Sequence, residues 1–298
     1  MSFDDLRPQP PINVRADAYA ETALRLSRLA AMTTRNVMDV AYGADPLQTL
    51  DVYLPDDAGL RGLPVYVNIH GGGWTHGYKE WMGLNAPAIV AFPAIYVSVS
   101  YRLAPEHTYP APVDDCLAAL AWVRDTIADY GGDPDRVFVG GHSAGGHLAA
   151  LITLRADLQH RHGLPPGFVK ACFPYSGVYD LTMPGEGGAR VRVPSTRTLV
   201  PEDRPQDVGP ASPLLHVAGA RTPFLVTWSE NDNAYCKAQG PLFVAALQAA
   251  GARAEGWMYP LFDHFWIHVD QQRPASTWTR TLRAWMTADP ATAPVFKP

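Results

Sequence analysis

Short runs rich in β-branched and aromatic residues punctuate this chain: Leu50–Leu54, Val65–Ile69, Ala94–Ser100, Val137–Gly140, Val169–Pro174, Pro223–Trp228 and Glu255–Tyr259. Several are apolar at nearly every position instead of every second one, the pattern of strands buried on both faces of a largely parallel sheet. Between them lie segments with helical spacing, at about Val113–Tyr130, Ala144–Arg155, Lys237–Ala250 and Ser276–Met286. In the first of these Val113, Cys116, Leu117, Leu120, Val123 and Ile127 fall on one face, and Gly131 and Gly251 stand where helix C-caps belong. Upstream, Tyr19, Ala23, Leu26 and Leu29/Ala30 recur at three- and four-residue intervals, which predicts an amphipathic helix from Val14 to about Asn36. Strand and helix alternate thereafter, so the expected fold class is α/β: a doubly wound, mostly parallel sheet with helices on both faces. From Met183 to about Val217 the chain is rich in Gly, Pro and Arg and loses its periodicity, which predicts a loop-rich excursion over the sheet.

Composition narrows the function classes. With 47% hydrophobic and 18% charged residues the chain can bury a large core, and disorder is excluded over most of its length. A net charge of −5 and the lack of any Lys/Arg run argue against nucleic acid or an anionic membrane as partner, leaving a small, largely neutral molecule. No apolar stretch follows the acidic, proline-rich N-terminus and no run reaches transmembrane length, so a cytoplasmic protein without a membrane partner is expected. Cys116, Cys172 and Cys236 are odd in number, widely spaced and without a C-x-x-C pair, which argues for buried reduced thiols and against a disulfide framework or zinc site.

Chemistry enters at Gly141-His142-Ser143-Ala144-Gly145, which joins a predicted strand directly to a predicted helix. A G-x-S-x-G sequence in that setting forms a sharp turn that lifts the serine hydroxyl above the sheet, and small residues two positions either side avoid clashes. A hydroxyl attacks a carbonyl poorly unless a base takes its proton and donors stabilise the oxyanion. The strand Val65–Ile69 ends in His70-Gly71-Gly72-Gly73-Trp74, whose glycines let backbone N–H groups approach a substrate. Gly72, Gly73 and Ala144 are the expected oxyanion donors, and His70 is expected to brace the loop.

In this architecture the acid and then the histidine follow the serine. After Pro223–Trp228 comes Ser229-Glu230-Asn231-Asp232-Asn233, and after the next strand comes Phe262-Asp263-His264-Phe265. Asp232 is preferred over Glu230 because it lies further past the strand end, with Asp180 a remoter alternative. His264 is preferred over His268, which lies a helical turn later, and His160 and His162 lack further metal ligands nearby.

Tyr101–His107, the HGGGW run and GHSAGG, together with Tyr130–Arg136, closely resemble the hormone-sensitive-lipase-like branch of the α/β-hydrolase carboxylesterases. Ser176–Leu181, Ala211–Pro213, Asp232 followed by Gln239, and Asp263-His264-Phe265 are similar to the kynurenine formamidase (arylformamidase) group, whose His-Gly-Gly-x-Trp pattern HGGGW also fits. Two departures stand out: His142 occupies the place of an Asp usual in the lipase-like branch, and the acid loop lacks the glycine common before the acid. The resemblance implies the α/β-hydrolase fold and the triad Ser143, Asp232 and His264, working without a metal or organic cofactor.

The expected organisation is an N-terminal cap segment over residues 1–45 and an α/β-hydrolase catalytic domain over 46–298, with the excursion at about 183–217. The first functional expectation is a carboxylesterase acting on small esters through an acyl-enzyme; the second is an arylformamidase cleaving an aryl amide; the third is a binding protein that keeps the fold without catalysis. Trp74, His142, Tyr175, Tyr179 and Phe265 lie close in sequence to the loops that bear the triad and are the expected pocket residues.

Overall fold

A computed structural model describes residue 3, residues 5–184 and residues 189–298. Its strands are β1 (Asn36–Ala41), β2 (Thr49–Tyr53), β3 (Leu63–Ile69), β4 (Ile95–Val99), β5 (Gly132–His142), β6 (Val169–Tyr175), β7 (Thr182–Pro184), β8 (Arg190–Arg192), β9 (Phe224–Asn231) and β10 (Ala254–Asp263). All but β7 and β8 form one eight-stranded sheet in the order β1-β2-β4-β3-β5-β6-β9-β10. β2 runs against both of its neighbours, and the other pairs in the sheet are parallel. The helices are α1 (Val14–Thr33), α2 (Ala86–Val90), α3 (Ala111–Thr126), α4 (Ala144–Leu154), α5 (Ala156–Arg161), α6 (Ala234–Ala249), α7 (Trp266–Asp270) and α8 (Thr277–Thr287).

The near-continuous apolar runs follow from burial on both faces. In β3, Val65, Val67 and Ile69 pack with Val113, Leu117 and Leu120 of α3 and Leu148 and Leu151 of α4. Tyr66, one pleat out of phase, joins the opposite layer with Tyr19 of α1, Ile89 of α2, and Trp278, Leu282 and Trp285 of α8. Aliphatic side chains dominate the first layer and aromatic rings the second.

The structure corrects the sequence reading at several places. α1 ends at Thr33, because Thr34 adopts extended dihedrals and the chain turns at once into β1. β1 lies inside the segment 1–45, so part of that expected cap is an edge of the main sheet. Its alternation is hidden by a register shift between Val37 and Val40, where Asp39 takes a positive φ of 60°. The predicted helix at 113–130 is α3 followed by a 3-10 turn at Ile127–Tyr130, closed by Gly131 at φ 91°. The excursion contains the β7–β8 hairpin and 3-10 turns at Pro194–Arg197, Pro205–Asp207 and Pro213–His216; its residues 185–188 lie outside the described ones. Among the described residues, no helix is long and apolar enough to cross a membrane.

Candidate active site

Parallel strands present their C-terminal ends along one edge, and the connections that carry the site open there. Ser143 sits between β5 and α4 with φ 55° and ψ −115°, dihedrals that few non-glycine residues adopt. The turn is tight enough to explain its glycines: a Cβ on Gly145 would lie 2.0 Å from the carbonyl oxygen of Ile69, and one on Gly141 would lie 2.4 Å from the backbone of Gly145. Asp232 follows β9 and His264 follows β10. His264 Nε2 is 2.9 Å from Ser143 Oγ, and its Nδ1 is 2.5 Å from Asp232 Oδ1. The tautomer follows from the carboxylate, which only accepts: Nδ1–H donates to Asp232, and Nε2 is left to accept from the Ser143 hydroxyl.

Asp232 is buried and well satisfied. Its Oδ2 accepts from the Ser176 hydroxyl at 2.5 Å and the Ser229 N–H at 3.2 Å, and its Oδ1 also accepts from Asn233 N–H at 2.8 Å. Burial pushes this carboxyl up, but the hydrogen bond and charge of His264 with the Ser176 and Ser229 bonds outweigh it and hold it below the usual carboxylate range. Glu230 points elsewhere, its Oε2 accepting from Leu261 N–H at 2.7 Å. Asp180 is paired with Arg190 and accepts from the Thr182 hydroxyl at 2.8 Å.

Gly72 and Gly73, at φ 113° and 62°, border the same cavity as Ser143, and their N–H groups meet no acceptor among the described residues. Ala144 is the first residue of α4, where an N–H has no intrahelical partner. The glycine loop is held on all sides. Gly72 C=O accepts from Thr75 and His76 N–H, Tyr101 OH donates to His70 C=O at 3.1 Å, and Gln9 clasps Gly77 through both its amide atoms. His70 stacks on Tyr101 with ring centroids 4.2 Å apart, and burial lowers its pKa to about 4, so it stays neutral.

The cavity over Ser143 has a volume of about 640 Å³. Its lining is apolar at Ile12, Ala16, Tyr19, Trp81 and Phe265 and polar at Ser195, Thr198, Asn233 and the Tyr235 hydroxyl. Asp232, Cys236 and His264 offer donor atoms within 4.8 Å of one another, close enough to hold a metal ion. Those of Asp232 and His264 are spent on each other, and the Cys236 thiol donates to the Ser176 carbonyl at 3.2 Å.

The BD-FAE family model matches residues 50–247. The chain belongs to the BD-FAE family. Esterase LipQ of Mycobacterium tuberculosis is 39% identical over 76% of this chain and 55% of its own length. Carboxylesterase NlhH of the same organism is 46% identical over 41% of this chain and 38% of its own. The BD-FAE chain spans about half the length of the curated relatives it matches over most of its own sequence. Among solved structures, an esterase of Pyrobaculum calidifontis superposes with a TM-score of 0.73 at 25% identity, over 94% of this chain and 95% of that one. The carboxylesterase EstE1, cloned from a metagenomic library, superposes with a TM-score of 0.70 at 28% identity, over 91% and 93%. The expected α/β-hydrolase fold and the resemblance to its carboxylesterase group are thus borne out, and the relatives' names do not favour the formamidase alternative.

Of the expected pocket residues in this BD-FAE protein, His142 and Phe265 border the cavity. Trp74, Tyr175 and Tyr179 do not, and the reason is packing. Trp74 is turned inward and donates from Nε1 to His147 Nδ1 at 3.2 Å. Tyr175 lies under His142, and Tyr179 stacks on Phe243 at 4.1 Å. Gln9, Tyr19, Trp81, Ser176 and Tyr235 escaped the sequence reading. Two of them carried a signal: Tyr19 by its place on the apolar face of the predicted N-terminal helix, and Ser176 by standing first in the Ser176–Leu181 fragment.

Proposed function

We propose that this protein is a serine carboxylesterase that cleaves small esters through an acyl-enzyme on Ser143. The observation that carries the reading is the hydrogen-bonded row from Ser143 Oγ through His264 to Asp232 beside the unpaired amides of the glycine loop. As Ser143 Oγ attacks the ester carbonyl, its proton passes to His264 Nε2. Asp232, held ionised by its hydrogen bonds, orients the ring and stabilises the imidazolium. The developing oxyanion takes the N–H groups of Gly72, Gly73 and Ala144. The imidazolium then protonates the departing alkoxide, and water discharges the acyl group by the reverse proton path.

The cavity suits a small substrate. The charged side chains on its lining are Arg15, which pairs with Asp263 at 2.8 Å, and Asp232, which is committed to His264; neither is left for a charged substrate. The names of the esterase relatives support ester hydrolysis over amide hydrolysis. Three buried cysteines without a disulfide support a reducing, cytoplasmic setting. Hydrolysis of p-nitrophenyl acetate tests the proposal: Ser143→Ala should lower kcat by about four orders of magnitude or more. Equal rates for the variant and the wild type would overturn it. Faster turnover of N-formylkynurenine than of the ester would move the assignment to the formamidase reading.

A further inference from the structure

The strands that carry nucleophile and base are not neighbours in the sheet. β6 and β9 lie between β5, which leads into Ser143, and β10, which leads into His264. The two are therefore joined only through three successive ladders, and a distance of 2.9 Å between Oγ and Nε2 gains from a more direct constraint. His142, the last residue of β5, supplies one. Its Nε2 lies 2.7 Å from the main-chain carbonyl oxygen of His264.

Resting on the hydrolase reading above, we propose that His142 is a positioning residue whose Nε2–H, donated to the His264 carbonyl, locks the catalytic base in register with the nucleophile. A carbonyl only accepts, so Nε2 must carry the proton and Nδ1 the lone pair. Nδ1 has no partner among the described residues and faces Gly71, where even a Cβ would lie within 3.0 Å of it. The ring cannot easily move: it stacks on Tyr175 at 5.4 Å and on His268 at 5.6 Å. With 1% of its surface exposed it offers a substrate almost nothing, so its contribution runs through His264. The titratable groups facing it are Tyr19 from α1, Tyr175 from β6, His268 from α7 and His264 itself. Burial, then the neighbouring imidazoles, keeps His142 neutral, so the strut holds across the range in which an esterase works.

The donor requirement separates positioning from bulk. Glutamine places an amide near the site of the imidazole Nε2, whereas glutamate of the same length donates only when protonated. His142→Gln should retain about a third or more of the wild-type kcat for p-nitrophenyl acetate. His142→Glu should lose about 100-fold in kcat at pH 8 with little change in KM, and its kcat relative to the wild type at the same pH should recover as the pH falls and its carboxyl gains a proton. Identical kcat and pH profiles for the two variants, or a loss confined to KM, would overturn the role. An imidazole 15N spectrum of the wild-type protein supplies a test free of any folding defect: His142 should be a neutral ring protonated on Nε2, and the Nδ1–H form would sink the proposal. Activity in the wild type and its loss in Ser143→Ala, measured in the same assay, keep a failure here distinct from a failure of the hydrolase reading.

Discussion

At the scale of single residues, the site is built from atoms that have no room to be anything else. Ser143 holds a strained backbone because the turn around it closes on Ile69, His70 and Tyr175, and a side chain at Gly145 would strike backbone that cannot yield. Gly145→Ala should therefore lower the unfolding free energy by about 3 kcal/mol or more, read by urea denaturation. Asp232 shows the electrostatic counterpart. Its carboxyl lies below the usual range because hydrogen bonds prefer the ionised form, so the stability it contributes is present at neutral pH and is lost as the pH falls through its own pKa. Ser176→Ala removes the 2.5 Å hydrogen bond to Oδ2. The carboxyl pKa should rise, the acid limb of the kcat profile should move to higher pH, and kcat at neutral pH should fall by about tenfold. An unmoved acid limb would show that Ser176 does not tune the triad.

At the scale of elements, the sheet edge carries a buried charge cluster that ties β1 and β2 to the segment at Lys79 and Glu80. Lys79, 2% exposed at its side chain, meets Asp39 of β1 at 2.8 Å, Asp51 of β2 at 2.9 Å and Glu80 at 2.5 Å. Burial favours a neutral amine, but the surrounding carboxylates outweigh it and keep Lys79 charged. Asp51 fares differently, since burial raises its pKa to about 6 even with the lysine beside it. Lys79→Met would leave Asp51 and Glu80 without that cation, and thermal or urea unfolding should show a loss of about 3–5 kcal/mol at pH 8. The loss should shrink toward pH 5 as Asp51 takes up a proton. The predicted helices and strands of the sheet could be read from periodicity because each buries a whole face. β1 could not, since its register shift at Asp39 breaks the alternation; α2, α5 and α7 are too short to show a period.

At the scale of the whole molecule, α1 closes the cavity that the sheet opens. Tyr19 stacks on Phe265 at 4.9 Å, its hydroxyl lies 2.8 Å from His268 Nδ1, and Arg15 reaches Asp263, so the N-terminal helix and the histidine-bearing loop form one wall. Tyr19→Ala should raise KM for p-nitrophenyl butyrate by about tenfold, the loss of one aromatic contact, with kcat changed far less. Removing Arg15 should cost under about 1 kcal/mol, as expected for an exposed ion pair. The sequence alone was enough to announce the strand runs, the order of Ser143, Asp232 and His264, and the glycine loop, because each depends on local backbone geometry or on a fixed chain order. Only the tertiary structure could exclude Glu230, turn Trp74, Tyr175 and Tyr179 away from the cavity, bring Tyr19 to its lining, and set Gln9 behind the glycine loop and Ser176 behind Asp232. Those outcomes depend on which side chains meet across strands and loops far apart in the chain, and such meetings leave no period or spacing in the linear order of residues.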